Sequence, residues 1–203
     1  MNPSPRPEAA ENPFSTCRTR PGAIPYRFPP GVSAATLLER LRASGWWGQI
    51  IGAHGSGKSA LLATLLPAME QSGHPALLVE LHDGARRLPL DLRRVGLSPG
   101  SVLVLDGYEQ LGFWSRWSLR RFCRRQGLGL VVTAHRPVGL PDLFHTATTP
   151  ELAQTLARHL LGPCQDLISP EEVLRQFELR GGDLRDVWFD LYDCYERRKP
   201  ADA

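Results

Sequence analysis

Gly52-Ala53-His54-Gly55-Ser56-Gly57-Lys58-Ser59 has the residue types and spacing of a loop that wraps phosphate. Its glycines let the backbone take positive φ and turn successive N–H groups inward around an anion. Lys58 supplies a compact ammonium for the β- and γ-phosphates, and Ser59 a hydroxyl suited to Mg²⁺. From Ala60 onward Leu61, Leu62, Leu65, Leu66 and Met69 recur at helical spacing, so the phosphates would also meet the positive end of a helix. These residues predict binding of a nucleoside triphosphate, ATP with Mg²⁺, through Gly52–Ala60. His54 occupies a variable position and is read as incidental to catalysis. Of 24 basic residues only Lys58 and Lys199 are lysines, so the loop keeps an ammonium in a chain that otherwise uses arginine.

A second group of candidates follows. Ser101-Val102-Leu103-Val104-Leu105-Asp106 is an apolar run ending in an acid. An Asp at a strand's carboxyl end lies over the sheet edge where ligands bind, and could hold Mg²⁺ through a water. Glu109 is the next carboxylate and the candidate for orienting water. Another apolar run, Leu128–Thr133, ends in the polar group Thr133-Ala134-His135-Arg136. Farther on, Gly181-Gly182-Asp183-Leu184-Arg185 places an arginine at the start of a helix, as an ordinary helix-turn-helix joint does. Arg116, Arg120 and Arg124 stand four apart on a presumed helix, with Arg121 and Arg125 beside them and Trp114 and Trp117 near its start. That stripe is a solvated face, a nucleic-acid contact, or an arginine finger for a neighbouring subunit.

Five apolar runs must position these groups: Trp46–Ile51, Ala76–Leu81, Val102–Leu105, Leu128–Thr133 and a weaker Phe144–Thr148. Helical patterns alternate with them at Ala34–Ala43, Lys58–Gln71, Gln110–Gln126 and Glu151–Leu161, as in a parallel sheet covered on both faces. Pro67 is expected to kink the second of these or loosen its end. Two further helices are expected from Ser169-Pro170-Glu171-Glu172 to about Leu179 and from Asp183 through Tyr195. Prolines at 3, 5, 7, 13, 21, 25, 29 and 30 predict an extended or disordered arm without helix. The expected organisation is an arm over 1–30, a nucleotide-binding domain over 31–163 and a helical lid over 164–203.

A net charge of +3 does not by itself indicate a nucleic-acid binder, and no apolar run spans a bilayer. The start of the chain lacks the pattern of a secretory signal, and Cys17, Cys123, Cys164 and Cys194 form no CxxC pair; a cytoplasmic location is expected.

Over about Gly45 to Pro150 the chain resembles the branch of P-loop ATPases that includes the AAA+ and STAND proteins. In that branch a sensor strand lies between the loop strand and the Walker B strand. LVLDGYEQL looks like the NACHT-type Walker B, and LVVTAHRP looks like its sensor with one extra residue, which implies that Thr133 or His135 senses the γ-phosphate. GGDLR resembles the sensor 2 motif of AAA+ lids, which implies that Arg185, at the start of a lid helix, returns to the nucleotide. Gly107 departs from the adjacent Asp-Glu of many AAA+ ATPases. The resemblance implies a three-layer α/β P-loop NTPase fold with a mostly parallel five-stranded sheet and a small C-terminal helical lid. It further implies an ATPase acting as a switch or motor, with a protein partner or a second copy of the chain. Two rivals stay open: a small-molecule or nucleoside kinase using Glu80, His82, Asp83, Arg86 and Arg87, and an ATP-binding interaction module with little turnover.

Overall fold

The computed structural model describes residues 12–81, 84 and 86–199. They form two compact units, one made of 12–24, 54–56 and 148–199, the other of 25–53 and 57–147 within those limits.

The second unit holds the sheet. Its strands are β1 (Trp47–Ile51), β2 (Ala76–Glu80), β3 (Val102–Asp106), β4 (Gly129–Ala134) and β5 (Asp142–His145), ordered β2-β3-β4-β1-β5 and all parallel. Alternate residues face opposite layers, as a period of two requires. Val102, Val104 and Val131 pack with Leu37 and Leu41 of helix α2 (Ala34–Ala43) and Leu61, Leu65 and Met69 of α3 (Lys58–Gln71). Leu103, Leu105, Leu130 and Val132 pack with Leu119 and Cys123 of α4 (Phe113–Arg125). This is the three-layer arrangement expected. Buried Gln49 is satisfied: its Nε2 donates to Asp142 Oδ1 at 2.5 Å and its Oε1 accepts from Val138 N at 2.8 Å.

Pro67 lies inside α3, which runs to Gln71 as expected, with Leu61, Leu65 and Met69 on its buried side. Two local expectations are corrected. The helix expected over Gln110–Gln126 starts at Phe113, after a 3₁₀ turn at Tyr108–Gln110 and an extended Gly112 (φ −64°, ψ 158°). The last strand begins at Asp142, ahead of the apolar run, through a register shift opposite Gln49/Ile50.

The other unit is helical, with α5 (Pro150–Leu161), α6 (Pro170–Leu179) and α7 (Leu184–Arg198). Ala153, Ala157 and Leu160 of α5 join the cluster of Val173, Phe177, Val187 and Leu191, so this unit starts ahead of residue 164. Glu172, buried on α6, accepts from Nη1 and Nη2 of Arg198 at 2.5 and 2.9 Å. Residues 1–11 of the proline-rich arm lie outside the described residues. Within the rest, the proline-free stretch between Pro13 and Pro21 forms a short helix α1 (Thr16–Thr19), against expectation. Phe14 is buried and stacks on Trp188 at 5.8 Å. Among the described residues no helix is long and apolar enough to cross a membrane.

Candidate nucleotide site

The loop begins where β1 ends. Ile51 pairs with Ala134 of β4, and Gly52 N continues the ladder to Ala134 O at 3.2 Å. Gly57, with φ +90° in the left-handed region, turns the chain into α3, so that Lys58, Ser59 and Ala60 form the helix's first turn. Lys58 Nζ donates to Gly52 O at 2.9 Å and to Ala53 O at 2.7 Å, which folds its ammonium back over the loop. Tyr26 crosses the same turn: a Cβ on Gly57 would lie 3.2 Å from Tyr26 Cε2. Sequence reading passed over Tyr26; the signal was an aromatic pair, Tyr26 and Phe28, set among prolines.

His54, Gly55 and Ser56 group with the helical unit. In that unit a Cβ on Gly55 would fall 1.9 Å from Asp183 Oδ1 and 2.8 Å from Leu184 N, and Gly55 itself has φ +60°. Only glycine fits there. Asp183 is the N-cap of α7, accepting from Arg185 N at 2.9 Å and Asp186 N at 3.3 Å. Arg185 is thus the second residue of a helix whose cap abuts the loop's Gly55; its side chain is exposed.

Asp106 closes β3, and β4 lies between β3 and the loop strand β1. Thr133, fully buried on β4, donates its hydroxyl to Asp106 Oδ1 at 2.5 Å and accepts from Gly107 N at 2.9 Å. Its one proton is therefore engaged, and the hydroxyl holds Asp106 in place. Glu109, in the 3₁₀ turn after β3, meets His135 with 2.9 Å between Oε1 and Nε2. Its other oxygen, Oε2, is buried and has no hydrogen-bond partner among the described residues. The Ser59 hydroxyl and the Asp106 carboxylate are hard oxygen groups of the kind Mg²⁺ takes.

The arginines separate into two sets. Arg116 donates to Leu111 O and Glu109 O at 2.7 Å each, and Arg120 donates to Tyr108 Oη at 2.9 Å and to Val138 O; both guanidinium groups lie over the Tyr108 ring. They are structural, so the stripe of arginines four apart is not one solvated face. Of the residues the kinase reading needs, His82 and Asp83 lie outside the described residues.

A loop at the carboxyl end of β1, an acid at the end of β3 and a strand between them can bind polyphosphate at one sheet edge. Among solved structures, the chain is similar to a Thermotoga maritima RuvB variant at 15% identity and TM-score 0.53, covering 79% of this chain and 58% of that one. A second RuvB variant of that organism gives 13%, 80% of this chain, 61% of that one and 0.52. NtrX from Brucella abortus in complex with ADP gives 11%, 86%, 52% and 0.55. The chain has a P-loop NTPase fold. It spans little more than half the length of these P-loop neighbours. No protein-family model matches the chain, and no curated protein matches it by sequence.

Proposed function

We propose that this chain binds ATP with Mg²⁺ and hydrolyses it, using nucleotide state as a switch or motor in the manner of AAA+ and STAND ATPases. One observation carries the reading: the phosphate loop and Asp106 end on strands that flank β4, the order of that branch, with Thr133 of β4 bonded to Asp106. The ADP bound to NtrX supports a nucleotide at such a site.

The loop amides and the N-terminus of α3 would cradle the phosphates, and Lys58 would exchange its carbonyl contacts for phosphate oxygens. Ser59 and Asp106 would hold Mg²⁺, which neutralises phosphate charge when bound. Thr133 positions Asp106. Glu109 orients water through its unpartnered oxygen, while His135 fixes the other oxygen. Arg185 would reach phosphate from α7, the helical unit serving as a lid. Partners would be a protein or further copies of the chain, in the cytoplasm.

A module that binds ATP with little turnover is the second reading, favoured by the Glu109–His135 pair, which occupies half the candidate base. Phosphate release by the purified chain with Mg·ATP separates the readings. Release without an acceptor supports the ATPase, release only with an acceptor supports a kinase, and binding without release supports the module.

A further inference from the structure

The outer face of α4 carries rings and arginines that the nucleotide site does not use. Phe113, Trp114 and Trp117 are 73%, 77% and 55% exposed. Soluble proteins rarely leave such a cluster in water without a use for it. Trp114, Trp117, Arg121 and Arg124 fall within about a quarter turn of one another around the helix, in a stripe roughly 15 Å long. Arg121 lies over the Trp117 ring with its Cζ 5.7 Å from the centroid, and Arg124 over the Trp47 ring at 5.3 Å. Trp47 and Arg124 in turn line a groove of about 280 Å³, framed by Gly45, Gly100, Gly127 and Gly129. Beside it Trp46 is held at φ +66°, a conformation few non-glycine residues adopt, with its ring 3.8 Å from that of His74. Between Glu109 and Asp142 the chain has six arginines and no acidic residue.

We propose that this stripe and groove bind single-stranded nucleic acid, with bases stacked on the exposed indoles and phosphates on Arg121, Arg124 and Arg125. The stripe's length suits about four nucleotides at the roughly 3.4 Å spacing of a stacked strand. Exposed rings followed by cations on one helix face suit a strand that offers both bases and phosphates, because every base has a π-face and every linkage an anion. A duplex would bury those faces. Protein interfaces are also enriched in aromatic residues and arginine, and it is the run of six arginines without an acid that favours a polyanion here. An interfacial membrane helix separates rings from cations around its axis; α4 separates them along it, rings in the first turns and arginines in the last.

The test uses the full chain, a labelled oligothymidine of about 20 nucleotides, and fluorescence anisotropy over a salt series. Binding is expected to weaken as salt rises. Trp114→Ala with Trp117→Ala should weaken it at least about tenfold, since each removes a face on which a base stacks. Arg121→Glu with Arg124→Glu should weaken it and flatten the salt slope. Both double variants should keep the wild-type far-UV spectrum and Mg·ATP affinity, since these side chains lie outside the nucleotide site. Absence of oligothymidine binding at low salt overturns the proposal, as does binding that survives both double variants. So does a duplex bound as tightly as the single strand. Loss of self-association in the tryptophan variant, or capture of anionic vesicles, with no oligothymidine bound in either case, would reassign the face to a second copy or to a lipid surface.

Discussion

Thr133 has one hydroxyl proton, and Asp106 receives it. That single bond changes what the residue can do, because a side chain donating to a carboxylate cannot also donate to a γ-phosphate. Thr133→Val should therefore lower turnover about tenfold and raise the Mg²⁺ requirement, as a lost hydrogen bond to a charged group would, while Thr133→Ser restores both. Equal magnesium dependence in wild type and the valine variant would contradict this role. Lys58→Ala should weaken Mg·ATP binding by about a hundredfold, because no loop amide replaces an ammonium on phosphate. Titration calorimetry on the folded variant reads it directly. For Glu109→Gln, ATP affinity should stay within a few-fold and phosphate release fall at least about tenfold, since the shape remains and the carboxylate does not.

At the scale of elements, α6 and α7 are joined by Glu172 and Arg198. Burial pushes the Glu172 carboxyl up, but the Arg198 hydrogen bond and charge, with Arg175, outweigh it and hold the carboxyl below its ordinary value. A carboxyl with a lowered folded-state pKa adds stability above its unfolded value of about 4.3, and loses it as pH falls through the lowered one. Acid titration followed by far-UV circular dichroism should show the helical unit weakening below about pH 4. Glu172→Gln should flatten that limb and cost about 1 kcal/mol at neutral pH, a modest figure because the Arg198 side chain is 46% exposed. A variant whose acid limb matches wild type would assign the effect to other carboxyls.

For the molecule as a whole, one compact unit holds both residues 54–56 of the loop and helix α7. Its cap Asp183 leaves no room for a Cβ on Gly55, so the loop and the start of α7 constrain each other. Arg185→Ala is expected to lower both ATP affinity and phosphate release several-fold with the fold intact, as loss of a charge-assisted contact to phosphate would. Wild-type values for both would leave Arg185 as a surface residue, worth little in solvent.

Much of this was legible along the chain, for a physical reason: a phosphate loop is local. Gly52, Gly55, Gly57, Lys58 and Ser59 act through backbone conformation and the helix that follows directly, so their spacing suffices. The parallel sheet was legible as well, since strands buried on both faces read as short apolar runs. What the chain alone did not decide are matters of partnership across long sequence separations. The hydroxyl of Thr133 could be assigned only once β4 stood beside β3, and the arginines of α4 divided only when Tyr108 was seen to take Arg116 and Arg120. Tyr26 over Gly57 and Asp183 against Gly55 are likewise long-range contacts. Residue type and spacing carry conformational preference; which polar group meets which is set by packing, and packing exists only in three dimensions.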